Sequence, residues 1–145
     1  MRALPDAIRP KLPKPLQNFE VAGRSWLVQL YYESPYIHYE TWNLGEHRGR
    51  LELGLHCESR DRELNARLLD GMLTYLFEIK AALGPTFEAE PWDKGWAKVY
   101  ETIPLDRFTA EFLEQVATRM TQIVTVIEPI RRHIQGLDKS KRRKR

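Results

Sequence analysis

From Trp26 onward apolar residues recur at every second position. Trp26, Val28, Leu30 and Tyr32 fall on one side of an extended chain, with Leu27, Gln29, Tyr31 and Glu33 on the other. Ser34-Pro35 interrupts the run. A second strand is predicted from residue 36 to about 43, and Leu44-Gly45-Glu46-His47-Arg48-Gly49 supplies a turn. Residues 50–58 alternate most cleanly, with Leu51, Leu53, Leu55 and Cys57 set against Glu52, Gly54, His56 and Glu58. One face therefore belongs to a core and the other to water or a partner. The three segments predict an antiparallel meander.

The period then changes to three and four. Ser59-Arg60-Asp61 introduces a helix predicted to reach Ala82 or Leu83, with the stripe Leu64, Leu68, Leu69, Met72, Leu73, Leu76, Ile79 and Leu83. Ser59 or Asp61 can cap it, and Gly84-Pro85 ends it. Residues 86–92 and 95–103 read as a second strand pair around an Asp93-Lys94-Gly95 turn, where glycine takes the positive φ position. Pro104-Leu105-Asp106 leads into a last helix capped by Asp106. Its stripe is Phe112 or Leu113, Val116, Met120, Ile123, Ile127, Ile130 and Ile134, and Pro129 inside it predicts a kink or an early end.

The fold class predicted is α+β: an antiparallel sheet of about five strands with two long helices packed on one side, in the order β-β-β-α-β-β-α. Residues 1–16 carry Pro5, Pro10, Pro13 and Pro15 and read as a proline-rich N-terminal arm, extended or loose, with room for a short turn at residues 6–9. Residues 17–138 form one domain. Residues 139–145 are expected to form a disordered basic tail.

Composition adds limits. With 42% hydrophobic residues the chain can bury a core without disulfide or metal staples. Cys57 is the only cysteine, which excludes an intramolecular disulfide and a cysteine-rich zinc site. The N-terminus lacks an apolar run of signal-peptide length, and no run approaches the ~18 residues of a membrane span, so no transmembrane segment is expected. A lone buried thiol suits a reducing compartment, and the expected location is cytoplasmic. The net charge of +3 is unevenly spread, because Lys139, Lys141, Arg142, Arg143, Lys144 and Arg145 supply six positive charges. Taking these six away leaves −3 for residues 1–138. The body is mildly acidic, so the tail is the main candidate phosphate-contacting element for DNA or RNA, with the Trp96, Lys98 and Tyr100 strand able to hold an anionic backbone beside it.

Two groups of residues carry candidate chemistry. If Trp42 faces Glu52 across the turn, Glu40 lies opposite Gly54, His38 opposite His56, and Tyr36 opposite Glu58. His38, Glu40, Glu52, His56 and Glu58 then share a polar face. Paired imidazoles and carboxylates can hold a divalent ion or move protons. An ordinary solvated or interface face has the same pattern and stands ahead of a ligand surface and of catalysis. The second group, Trp42, Trp92, Trp96, Lys98 and Tyr100, mixes aromatic and basic groups that can line an interface, stack bases or simply pack. Phosphate-loop, dinucleotide-binding and His-Glu-x-x-His signatures are absent from the sequence. No metal and no cofactor is assigned on these residues. The leading expectation is a non-enzymatic protein-interaction or accessory domain, with a protein partner or a homodimer. Nucleic-acid binding through the tail is the alternative, and a metal-assisted hydrolase on the histidine face comes third.

Overall fold

In the computed structural model, which describes residues 1–137, the chain opens with helix α1 (Leu4–Ile8) and two 3-10 turns (Arg9–Lys11 and Lys14–Leu16). Strands β1 (Glu20–Arg24), β2 (Leu27–Tyr31), β3 (Ile37–Asn43) and β4 (Arg50–Cys57) follow. Helices α2 (Arg62–Thr74) and α3 (Leu76–Leu83), strands β5 (Glu88–Trp92) and β6 (Trp96–Pro104), and helix α4 (Ala110–Ile134) complete it. The fold is α+β. Its six strands form one antiparallel sheet in the order β1-β2-β3-β4-β6-β5.

Apolar alternation sets the central register. Ile37, Tyr39 and Thr41 pair with Cys57, Leu55 and Leu53, and this row of buried side chains faces the helices. Val28 and Leu30 extend the face on β2, and Ala97 and Val99 extend it on β6. Against it pack Leu68 and Met72 from α2, Ile79 and Leu83 from α3, and Val116, Met120, Ile123 and Ile127 from α4. Each fully buried aliphatic side chain contributes roughly 1.5–3 kcal/mol through removal from water.

Four local predictions change. Strand β1 has no counterpart in the predicted order, because an edge strand of Glu, Val, Ala, Gly and Arg buries almost nothing and leaves no alternation to read. The helix after Asp61 divides at Tyr75 (φ −98°, ψ 8°), and the bend lets Met72 and Ile79 both reach the core while Leu73 is left outside. Thr109 rather than Asp106 caps α4, its hydroxyl accepting from the Phe112 amide at 3.1 Å. Asp106 instead accepts from the Arg107 amide in the preceding turn. Pro129 does not end α4, which continues to Ile134. The turn beyond the proline is anchored by Glu128, which accepts from Arg131 at 2.6 Å and Arg132 at 2.8 Å, and these bonds offset the lost amide donor.

The N-terminal arm is not extended. Pro5 occupies the first turn of α1, where its missing amide costs nothing, and Leu4, Ile8 and Leu12 are buried in the core. Arg9 ties the segment down by donating to the Phe19 carbonyl at 3.2 Å and lying 3.9 Å over the Phe19 ring. Among the described residues, no helix is long and apolar enough to cross a membrane. The basic tail residues Lys139, Lys141, Arg142, Arg143, Lys144 and Arg145 lie outside the described residues.

Candidate functional site

The sheet face turned away from the helices is built from the polar half of each alternating strand. Along one row His38 on β3 pairs with His56 on β4, and His56 pairs with Lys98 on β6. In the next rows Gln29, Glu40, Gly54 and Tyr100 lie across the sheet, followed by Leu27, Trp42, Glu52 and Thr102. Because β6 inserts beside β4, the histidine–carboxylate group and the aromatic–basic group are one site. The two groups look separate in sequence because α2 and α3 lie between them.

This face is not solvated. His38 is 2% exposed, Glu40 4%, Glu52 3% and His56 0%. Their cover comes from tryptophans. Trp42 and Trp92 stand on strands separated by two others, a distance of about 14 Å in a flat sheet, yet their ring centroids are 6.4 Å apart. Trp92 also meets Trp96 at 5.3 Å and His56 edge-on at 5.4 Å. The indoles therefore lean toward one another and fold over this face. Gly54 permits the close approach of β4 and β6, since a Cβ there would lie 2.2 Å from the Val99 carbonyl oxygen. Beside the indoles remains a cleft of about 220 Å³ lined by Leu27, Gln29, Glu40, Trp42, Glu58, Trp92 and Trp96.

Inside, nearly every polar atom is committed. His38 Nδ1 donates to the Pro35 carbonyl at 2.8 Å, which leaves Nε2 facing Glu40 Oε1 at 3.2 Å. The Gln29 amide donates to that same Glu40 oxygen at 3.0 Å and lies 3.2 Å from His38 Nε2. His56 sits between carboxylates, with Nε2 2.8 Å from Glu52 and Nδ1 3.0 Å from Glu58. Lys98 Nζ donates to the other Glu52 oxygen at 2.8 Å. The two imidazoles are stacked, with centroids 5.8 Å apart and an interplanar angle of 19°. Tyr100 lies at the margin and donates to Glu90 at 2.7 Å. Among the described residues, only Trp92 Nε1 is a buried side-chain nitrogen or oxygen without a hydrogen-bond partner.

These contacts set the charges. Burial disfavours the imidazolium of His56, but the bonds to Glu52 and Glu58 and the nearby Glu40 overcome it and raise its pKa to about 9. Burial acts upward on Glu40, and the His38 bond, the His56 charge and the Gln29 amide outweigh it to hold the carboxyl below its usual range. Glu52 is lowered in the same way, with burial opposed by the bonds from His56 and Lys98.

One nitrogen or oxygen from each of His38, Glu40, His56 and Glu58 lies within 4.8 Å of the others. His38 Nε2 lies 3.2 Å from Glu40 and 3.7 Å from Glu58, and His56 Nδ1 lies 3.0 Å from Glu58, whereas the 3.2 Å approach of His56 to Glu40 is made by Nε2, the nitrogen that also meets Glu52. Ligand atoms around a tetrahedral ion at ~2.0 Å stand about 3.3 Å apart, so the closest pairs of this cluster already have that spacing and the widest must draw in to form a coordination sphere. Gln29, Leu27 and the Pro35 carbonyl complete the site without having been singled out in sequence. Gln29 alone had a local signal, an amide between Leu27 and Tyr31 in an alternating strand. No family model, curated protein or solved structure matches the chain.

Proposed function

We propose that this chain is a divalent transition-metal protein in which His38, Glu40, His56 and Glu58 hold the ion, which serves as a Lewis acid toward a small molecule in the adjoining cleft. One observation carries the reading. Each imidazole directs one nitrogen to an outer acceptor, His38 to the Pro35 carbonyl and His56 to Glu52, while its other nitrogen stands beside a carboxylate oxygen of the same cluster. Metal-binding histidines are oriented in this way, with the far N–H fixed on a carbonyl or carboxylate. Lys98 extends the arrangement by holding Glu52.

The mixed nitrogen and oxygen donor set favours zinc, manganese, iron(II) or cobalt over calcium or a thiolate-seeking ion. Two carboxylates and two neutral imidazoles balance a divalent charge, and Glu52 is balanced by Lys98. An ion that takes five or six ligands keeps a position toward the cleft, which Glu40 and Glu58 both line. Calorimetric titration of chelator-treated full-length protein with zinc, cobalt and manganese tests the reading. Uptake of one ion per chain is expected, with affinity reduced about 100-fold or more in His38→Ala and His56→Ala. Absence of uptake, or uptake unchanged in both variants, would sink it.

A second reading keeps one observation of its own. Phe77 is 83% exposed one turn beyond the half-exposed Leu73, an apolar pair outside the core that favours contact with a second copy of the chain. Light scattering after size-exclusion chromatography decides it: a dimer should become monomeric in Phe77→Glu, and a wild-type monomer at all working concentrations removes the reading.

A further inference from the structure

We infer that the cleft takes a single-ring aromatic ligand bearing one monoanionic, oxygen-donating headgroup, of the carboxylate or hydroxamate kind, with the headgroup on the ion and the ring against the tryptophans. This rests on the metal reading of the same site and adds the chemistry of what the ion acts on.

The walls argue for the ring. Leu27, Trp42, Trp92 and Trp96 give the cleft apolar and aromatic sides, while its polar lining is Gln29, Glu40 and Glu58. The indoles are in contact with one another at 5.3 and 6.4 Å, so no cation fits between them as in an aromatic cage. What they present is a set of ring faces tilted by 43° and 59° to one another, against one of which a planar group can stack, with the Lys98 and Lys94 ammoniums 5.1 and 5.3 Å from the Trp92 and Trp96 centroids. The volume of about 220 Å³ corresponds to roughly seven waters at ~30 Å³ each and falls below the range of drug-sized pockets, the size of about one ring and its headgroup.

The charges argue for the headgroup. Glu40 and Glu58 line the cleft, so an occupant meets the ion through them, and a metal-free cleft of this kind repels anions. With the ion bound, the cluster is near neutrality and accepts one negative charge. A dianionic phosphate would leave two negative charges beside Glu52 in a site shielded from water, which is costly at low local dielectric. Trp92, one of the residues lining the cleft, also carries a buried N–H without an acceptor among the described residues.

The test uses full-length protein loaded with cobalt(II) for its visible spectrum and with zinc for calorimetry, and three probes: benzohydroxamate, acetohydroxamate and inorganic phosphate. Benzohydroxamate is expected to shift the cobalt bands and to bind the zinc form about tenfold more tightly than acetohydroxamate, the difference being the ring. Phosphate is expected to leave the spectrum unchanged. Trp96→Ala, and independently Trp42→Leu, should bring benzohydroxamate down to the affinity of acetohydroxamate while each variant still takes up one cobalt per chain. Equal binding of the two hydroxamates, or a phosphate-induced shift, overturns the ligand class and leaves the metal site standing. Failure of the protein to take up cobalt or zinc overturns both.

Discussion

Beneath α4 the Glu128 carboxylate accepts from the Tyr39 hydroxyl at 2.9 Å and from Arg131 through two nitrogens at 2.7 and 2.6 Å, while Arg131 reaches on to Glu33 and Gln135. On the other side of the same strand, His38 and Glu40 join His56, Glu52 and Glu58. Both clusters bury charge, yet they differ in kind. The α4 cluster is closed by a guanidinium, which is always protonated, cannot ligate and fixes its partners through a planar fork. The sheet cluster is closed by imidazoles, each of which carries a lone pair once a proton leaves, and a cleft reaches it. The first has the chemistry of a clamp and the second that of a site.

The sharpest way to break this contrast is a crossed pair of substitutions. Glu128→Gln should lower unfolding free energy by about 3 kcal/mol in urea, because Arg131 then keeps a buried charge without its main partner, and should leave zinc affinity unchanged. Glu58→Gln retains an acceptor for His56 and leaves Glu52 to balance its charge, so stability should fall by less than in Glu128→Gln while zinc affinity falls. If both variants lose stability alike and neither affects zinc, the two clusters are the same kind of structural device.

A pH series sharpens it further. The folded pKa of His56, about 9, exceeds the ordinary imidazole value of 6.5, so its contribution is complete below pH 6.5 and is lost as pH rises through 9. For metal-free protein this amounts to roughly 3 kcal/mol at most. Arg131 stays charged throughout and adds no slope. Thermal unfolding from pH 6 to 10 should therefore fall in the parent and flatten in His56→Gln; parallel curves would refute the assignment.

The smallest effect concerns Cys57, which follows His56 on β4 but faces the helices. Burial pushes its thiol up to about 12, so a disulfide reagent at pH 8 should react only at the rate of unfolding. Prompt labelling of the native protein would show the clamp side to be less closed than the contacts imply.

How far the sequence carries follows from the range of each signal. The pairing of His38 with His56 was readable because a tight turn and two alternating runs are local, and a slip of one residue would expose Tyr39 and Leu55. The helices were readable from their stripes, apart from the break at Tyr75. The burial of the polar face was not readable. It depends on the pairing of β6 with β4 across two intervening helices, and on indoles reaching over neighbouring strands. Lys98 shows the consequence: its alternation with Trp96 and Tyr100 suggests a cation offered to a phosphate backbone, whereas the pairing turns it onto Glu52. Leu4 and Ile8 were hidden for a related reason, since prolines describe a local backbone and say nothing about packing under α4.

Strand β4 belongs to both halves of this comparison, since every residue from Leu51 to Cys57 is buried. An ordinary half-exposed antiparallel strand accepts replacements at alternate positions. In a saturation mutagenesis screen, β4 should instead show an unbroken block of intolerance, with Leu53 and Leu55 scored through loss of folding and Glu52 and His56 through loss of function. Gly54 would stand among them with no chemistry of its own, intolerant because any side chain there pushes β4 and β6 apart beneath the surface on which the tryptophans meet.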